Sequence, residues 1–222
     1  MAEALSVLVA ARDEEALIGE TVRMLRDAFR DAEVIVADDG SRDATAELAE
    51  AAGARVLRLP RLGKGHAFSA AEQAARPGPL LLVDADVRGD LTALAPNGLR
   101  IAAFAERQGG GFGVAKGVSR ALIRLRTGFE ARAPLSGQRA LSPEARAAVF
   151  PLAPGFGVET RMTIDAVRAG LRVVEIPIDG LSHRPTGRGA RGFAHRARQG
   201  RDILAAVIVR VLPRVPRRSG TG

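Results

Sequence analysis

The chain contains no cysteine, no tryptophan and no tyrosine. Without cysteine it can form neither disulfides nor thiolate metal sites, and a reducing cytoplasm is permitted. Phenylalanine, present in 8 copies, supplies all of the 4% aromatic content. Single-stranded nucleic acids are bound on surface aromatic platforms, so this scarcity argues against such a partner. Long apolar runs are missing too. A membrane-spanning helix needs roughly 18 or more apolar residues in succession. The longest candidate, Ile203 to Leu212, is shorter and is interrupted by Arg210. The start, Met1-Ala2-Glu3-Ala4 before an apolar strand, lacks the basic and long apolar regions of a signal peptide, so a cytoplasmic location is expected. Lysine is scarce: it occurs as Lys64 and Lys116 alone, each beside glycine. A P-loop would need Gly-x-x-x-x-Gly-Lys-Ser/Thr, which does not occur.

What is present fits a folded domain of 222 residues, with 46% hydrophobic and 26% charged residues. The net charge of +8, nearly all from arginine, suits an anionic partner: nucleic acid, anionic lipid or a phosphorylated substrate. A solvated cationic surface explains it equally well.

Apolar runs at Leu5–Ala10, Val34–Ala37, Arg55–Leu59 and Leu80–Val83 read as strands. Between them, helical spacing runs over Glu14–Phe29, Asp43–Ala52 (closed by Gly53) and Gly63–Ala75. This alternation predicts an α/β fold: a mainly parallel, Rossmann-like central sheet flanked by helices. Later segments are less regular. Leu94–Gln108 reads as a helix, Phe112–Ala115 as a strand and Ser119–Phe129 as an amphipathic helix. Leu135–Arg139 reads as a loop before a short helix capped by Ser142, Val158–Ala169 as a helix and Arg172–Pro177 as a last strand. A basic stretch, His183–Arg201, leads into an apolar helical segment and an Arg/Pro-rich tail. One domain is expected over 1–222: a regular first half (1–90), a less regular second half (91–182) and a helical basic extension (183–222).

In open α/β sheets, ligands bind at the carboxyl ends of the strands, and the polar motifs fall there. Asp84-Ala85-Asp86 follows the fourth strand, where two carboxylates at alternate positions can reach one hard divalent cation. Asp38-Asp39-Gly40-Ser41 follows the second strand, and its carboxylates can accept from a base N–H or ribose hydroxyls. Asp43 is expected to cap the next helix. Ala10-Ala11-Arg12-Asp13-Glu14-Glu15 follows the first strand. Asp13 reads as a helix cap there, and Glu14 as either part of that first turn or a nucleotide contact. Gly63-Lys64-Gly65 puts a point charge and a close backbone approach at a helix start, which suits an anion. His183, just past the last strand, can join carboxylates on a metal.

Together these pieces resemble family 2 glycosyltransferases of the GT-A fold, on Val7–Glu15, Val36–Ser41, Gly63–Gly65 and Val83–Asp86. The family commonly shows Pro-Ala-Tyr/Leu-Asn-Glu-Glu at the first motif, where this chain has Ala-Ala-Arg-Asp-Glu-Glu. Later segments resemble glucosyl-3-phosphoglycerate synthases on Pro134–Gly137, Gly155–Glu159 and His183-Arg184. The similarity to polyprenyl-phosphate sugar transferases is of the same order. The resemblance implies a Leu-Ser-Gly loop lining the donor site (Ser136, Gly137), a glutamate near the sugar (Glu159) and a histidine joining the last aspartate on the metal (His183 with Asp86). Lys116-Gly117-Val118-Ser119 stands where those synthases carry an acceptor-binding segment.

The expectation is therefore a glycosyltransferase dependent on Mg2+ or Mn2+. A UDP- or GDP-sugar would be the donor, and a small phosphorylated compound or a polyprenyl phosphate the acceptor. Asp86 and His183 bind the metal, and Asp84 contacts ribose or metal beside Ala85. Ala10, Ala11, Arg12, Glu14, Asp38 and Asp39 hold the nucleoside, and Lys64 steadies base or phosphate. Glu159 orients the acceptor or acts as base. The basic segments at 184–201 and 210–218 can receive an anionic acceptor or contact an anionic membrane peripherally; a homodimer is compatible with this reading. A sugar-phosphate nucleotidyltransferase would share the sheet and acidic site, but usually carries a glycine-rich loop after the first strand, and Ala10–Glu15 has no glycine. A non-catalytic nucleic-acid-binding protein would explain the charge but not the acidic strand ends.

Overall fold

The computed structural model describes residues 4–94, 96, 98–104, 113–153 and 157–182. The elements are β1 (Ser6–Ala11), α1 (Ile18–Ala28), β2 (Glu33–Asp38), α2 (Thr45–Ala51), β3 (Arg55–Arg58), α3 (Lys64–Ala74) and β4 (Leu80–Asp84). They continue with β5 (Leu99–Phe104), α4 (Gly113–Thr127), β6 (Arg139–Leu141), α5 (Pro143–Val149), α6 (Val158–Arg168) and β7 (Val173–Ile178). The strands form one sheet in the order β3-β2-β1-β4-β6-β5-β7. Pairing is parallel except where β6 runs against β4 and β5.

The central strands are apolar throughout because both faces are covered. Val7, Val9, Leu81 and Val83 enter the core under α1 and α2, beside Ile18, Val22, Leu25 and Ala49. Leu8, Leu80 and Leu82 enter the opposite core with Ala67, Phe68, Val149, Val158 and Met162. Each fully buried Val, Leu or Phe contributes about 1.5–3 kcal/mol. One contact depends on glycine: a Cβ at Gly65 would lie 2.0 Å from the Ala153 carbonyl oxygen, so only a bare backbone lets α3 seat there.

The order matters for function. The chain moves from β1 outward to β2 and β3, then returns to β4 on the other side of β1. This reversal opens a crevice at the carboxyl ends of β1 and β4, where Ala10 pairs with Asp84.

Four local expectations are corrected. Within the helix expected at Leu94–Gln108, Leu99–Phe104 is instead β5, with Leu99 and Ile101 in one core and Ala102 in the other, a strand's alternation. Of the strand expected at Phe112–Ala115, the described part, Gly113–Ala115, belongs instead to α4, which packs through Ile123 against Ile164. Arg139 opens β6 rather than ending a loop, because it pairs with Leu82 and Ile101 on either side. Asp13 does not cap α1. It adopts φ 54, and α1 begins only at Ile18, after the N–H groups of Leu17 and Ile18 both donate to the Glu14 carbonyl. The basic extension from His183 onward lies outside the described residues.

Candidate active site

The crevice has an outer rim and an inner cluster. At the rim, the β1–α1 and β2–α2 loops interlock. Asp13 N–H donates to Ser41 Oγ at 2.9 Å and Arg42 N–H to Asp13 Oδ1 at 2.9 Å. Glu14 N–H donates to Thr45 Oγ1 at 2.8 Å. Glu15 N–H donates to Asp43 Oδ2 at 3.2 Å, and Ala44 N–H to Glu15 Oε2 at 3.2 Å. Desolvation pushes the Asp43 carboxyl up, but hydrogen bonds from Thr45 and Glu15 together hold it below its ordinary value.

The paired aspartates are buried and already serve the backbone. Asp38 accepts from the Ser41 N–H and hydroxyl. Asp39 Oδ1 accepts from Leu62 N–H at 2.7 Å and Gly63 N–H at 2.9 Å, which ties the start of α3 to β2. Arg12 reaches across to Asp39 at 3.8 Å. The chain's close approach along β1 leaves Ala10 half-buried and Ala11 buried.

The inner cluster centres on Lys64. Its ammonium lies 2.6 Å from Asp84 Oδ1 and 2.7 Å from Glu159 Oε1. Desolvation opposes the charge, but the two carboxylates outweigh it and raise the lysine's pKa. Glu159 is buried in the first turn of α6, with its side chain only 10% exposed against 31% for Asp84. Gln138 Nε2 donates to Asp84 Oδ2 at 3.2 Å, and Ser136 Oγ donates to Gln138 Oε1 at 3.2 Å. Gly137 lies against Asp84 so tightly that a Cβ there would stand 2.0 Å from Oδ2. Ala85 is buried and Asp86 half-buried just beyond.

These groups suit a cation. The strand-end carboxylates are hard oxygen donors of the kind Mg2+ and Mn2+ take, and the Lys64 ammonium shows that positive charge is drawn to this place. No group of three or more His, Asp or Glu poised to hold a metal occurs among the described residues. His183, expected as a metal ligand, lies outside them. Of the other expected residues, Lys64, Asp84, Glu159, Ser136 and Gly137 are brought together, while Arg12, Glu14, Asp38 and Asp39 form the rim.

Ser119, in the segment expected to meet the acceptor, instead turns inward: it is fully buried and shares a 2.7 Å hydrogen bond with Thr160. Two residues were not expected. One is Gln138, whose amide links the Ser-Gly loop to Asp84. The other is Arg139, fully buried, with Nε on the Ser136 carbonyl (2.8 Å), Nη1 on Thr163 Oγ1 (2.9 Å) and Nη2 on the Pro134 carbonyl (3.1 Å). Burial pulls its pKa down to about 10. It clips the 134–137 loop to α6, one turn beyond Glu159. A fully buried arginine is rare enough that only the strand register could expose it.

The glycosyl transferase family 2 model matches residues 6–90, the half that holds the rim loops, Lys64 and Asp84-Ala85-Asp86. The chain is 31% identical over 244 residues to the glucosyl-3-phosphoglycerate synthase of Mycolicibacterium paratuberculosis, covering 93% of this chain and 72% of that one. The chain belongs to glycosyl transferase family 2, a family of glycosyltransferases. It is also 28% identical over 192 residues to the glycosyltransferase AglJ of Haloferax volcanii, spanning 62% of that protein's length. Among solved structures, the glucosyl-3-phosphoglycerate synthase of Mycobacterium tuberculosis in complex with Mn2+, uridine diphosphate and phosphoglyceric acid superposes with a TM-score of 0.72. It is 30% identical, covering 92% of this chain and 78% of that one.

Proposed function

We propose that the protein transfers a sugar from a nucleotide-sugar donor, a UDP- or GDP-sugar, to a small phosphorylated acceptor. Mg2+ or Mn2+ would be held by Asp86 with His183. The observation that carries this reading is the convergence of Lys64, Asp84, Gln138 and Glu159 at the carboxyl end of β4, at the sheet's reversal point. The bound Mn2+, uridine diphosphate and phosphoglyceric acid of the mycobacterial synthase support donor, metal and acceptor class. For His183, support comes from the chain itself: Ser182, the residue before it, pairs with Arg88, two residues past Asp86. Lipid phosphate is the second acceptor reading, favoured by the arginine-rich residues 184–201. Among the described residues no helix is long and apolar enough to cross a membrane.

In this reaction the bond between the sugar's anomeric carbon and the diphosphate oxygen breaks, and an acceptor oxygen bonds to that carbon. The metal, when bound, neutralises charge on the departing nucleoside diphosphate. Lys64 adds a second positive charge beside it. Glu159 sits where it can take the acceptor's proton if configuration is inverted, or orient the acceptor hydroxyl if it is retained. Asp84 serves ribose or metal, held ready by Gln138. Asp38, Asp39, Arg12 and Glu14 frame the nucleoside, with Ala10, Ala11 and Ala85 letting it approach the backbone.

The test is turnover of UDP-glucose and GDP-mannose with 3-phosphoglycerate, glycerol 3-phosphate or a short polyprenyl phosphate, in Mn2+ and in EDTA. Metal-dependent transfer to a small phosphorylated acceptor is expected. Transfer only to polyprenyl phosphate would select the second reading, and metal-independent turnover would contradict the metal's role.

A further inference from the structure

We infer that Thr21 and Arg88 are positioning residues that fix the turn Asp84–Val87 and join it to the segment entering His183; this rests on the reading of Asp86 and His183 as metal ligands. Thr21 is fully buried in α1, on the stripe formed by Ile18, Val22 and Leu25, where a valine would fill the same space. Its hydroxyl is not idle. It donates to the Ala85 carbonyl at 2.7 Å and accepts from Arg88 Nη1 at 3.2 Å. Arg88 Nη1 also donates to the Val87 carbonyl at 3.2 Å, and Val87 N–H closes the turn on the Asp84 carbonyl at 3.3 Å. The carbonyls of Asp84, Ala85 and Val87 are thus all engaged, two of them by Thr21 and Arg88.

A trans peptide directs its N–H opposite its C=O. Anchoring the Ala85 carbonyl to α1 therefore turns the Asp86 N–H away from α1 and sets the backbone from which the Asp86 carboxylate projects. Arg88 is also the joint to the far strand. Its N–H donates to the Ser182 carbonyl and its carbonyl accepts from the Ser182 N–H, both at 3.0 Å. Its guanidinium reaches Glu20 of α1 at 2.5 Å. An exposed ion pair of this kind adds little stability; here it fixes a direction. One arginine therefore ties α1, the turn bearing Asp86 and the residue preceding His183.

The experiment measures UDP affinity by calorimetry with Mn2+ and with EDTA, in the full chain. Thr21→Val keeps the volume and removes the hydroxyl; Thr21→Ser keeps the hydroxyl. Groups that orient metal ligands typically contribute roughly 10- to 100-fold in metal affinity. Thr21→Val is expected to lose the Mn2+-dependent gain in UDP affinity by that factor, with affinity in EDTA unchanged, and Thr21→Ser to restore it. Arg88→Lys, which cannot span Thr21 and Val87 together, is expected to behave like Thr21→Val, and carries the test if Thr21→Val does not fold. Asp86→Ala run in parallel separates the two failures. If Asp86→Ala loses the gain while Thr21→Val and Arg88→Lys keep it, the positioning role is overturned. If Asp86→Ala also keeps it, the metal reading fails and this inference falls with it.

Discussion

Rim and inner cluster are both acidic, yet they use their carboxylates in opposite ways. At the rim, Asp13, Asp39 and Asp43 accept from backbone N–H groups of another loop, and Asp38 accepts from Ser41 N–H in its own turn. A carboxylate spent in this way organises the chain, and its loss leaves donors without partners. In the inner cluster, Asp84 and Glu159 share one long side chain, Lys64, and Asp84 also accepts from Gln138. One ammonium offsets only one of these two negative charges. Acidic residues at strand ends are thus not one class: those of the rim hold the loops together, and those of the inner cluster hold Lys64.

Substitutions can break or sharpen this contrast. The largest effect is expected for Lys64→Met, which leaves Asp84 and Glu159 uncompensated and removes a charge beside the leaving diphosphate. Donor turnover should fall about 100-fold, the scale of one electrostatic group acting on developing charge, and the thermal midpoint should fall as well because Glu159 is left buried without its cation. A fall in stability without a fall in kcat would place Lys64 with the rim. Gly137→Ala comes next. Its Cβ would stand 2.0 Å from Asp84 Oδ2, so the carboxylate or the loop must move. Misplacement by about 1 Å costs on the order of 100-fold in rate at a reacting centre; kcat/KM measured beside a melting curve checks it.

Asp39→Ala should do the reverse. The N–H groups of Leu62 and Gly63 lose their acceptor, at a cost of about 1–3 kcal/mol in stability, read by urea titration. Turnover at saturating donor should fall less than in either inner-cluster variant. The smallest effect is expected for Asp43→Asn, seen only through pH. The folded-state pKa of Asp43 lies below the unfolded value of 3.8. Its contribution is therefore complete above that pH and is lost as pH falls through the folded pKa. Wild type should lose stability in this acid range more steeply than Asp43→Asn. Parallel curves would remove Asp43 from the interlocked rim.

Much of this was legible in the sequence, and the exceptions have physical causes. β1, β2 and β4 announce themselves because strands covered on both faces must be apolar without interruption. Asp84 and Lys64 were legible as chemistry because glycines and strand ends surround them, whereas Glu159 was legible only through the resemblance to glucosyl-3-phosphoglycerate synthases. β5 was not, because Leu99–Phe104 follows a helix-like composition and is a strand only through its partners β6 and β7. Arg139 was hidden for the same reason, since a three-residue strand has no period to read. Asp38 and Asp39 were legible as a motif but not as anchors: their partners at 41, 62 and 63 depend on how the loops fold back. Ser119 belongs to the segment that stands where the synthases carry an acceptor-binding stretch, and its inward place shows only once α4 packs on α6.

The most direct test of the central claim is UDP affinity of wild type and Asp86→Ala, each with Mn2+ and with EDTA. Mn2+ is expected to tighten UDP binding to wild type and to have no such effect on Asp86→Ala, with similar affinities for the two in EDTA. An equal Mn2+ enhancement in both proteins would contradict that claim.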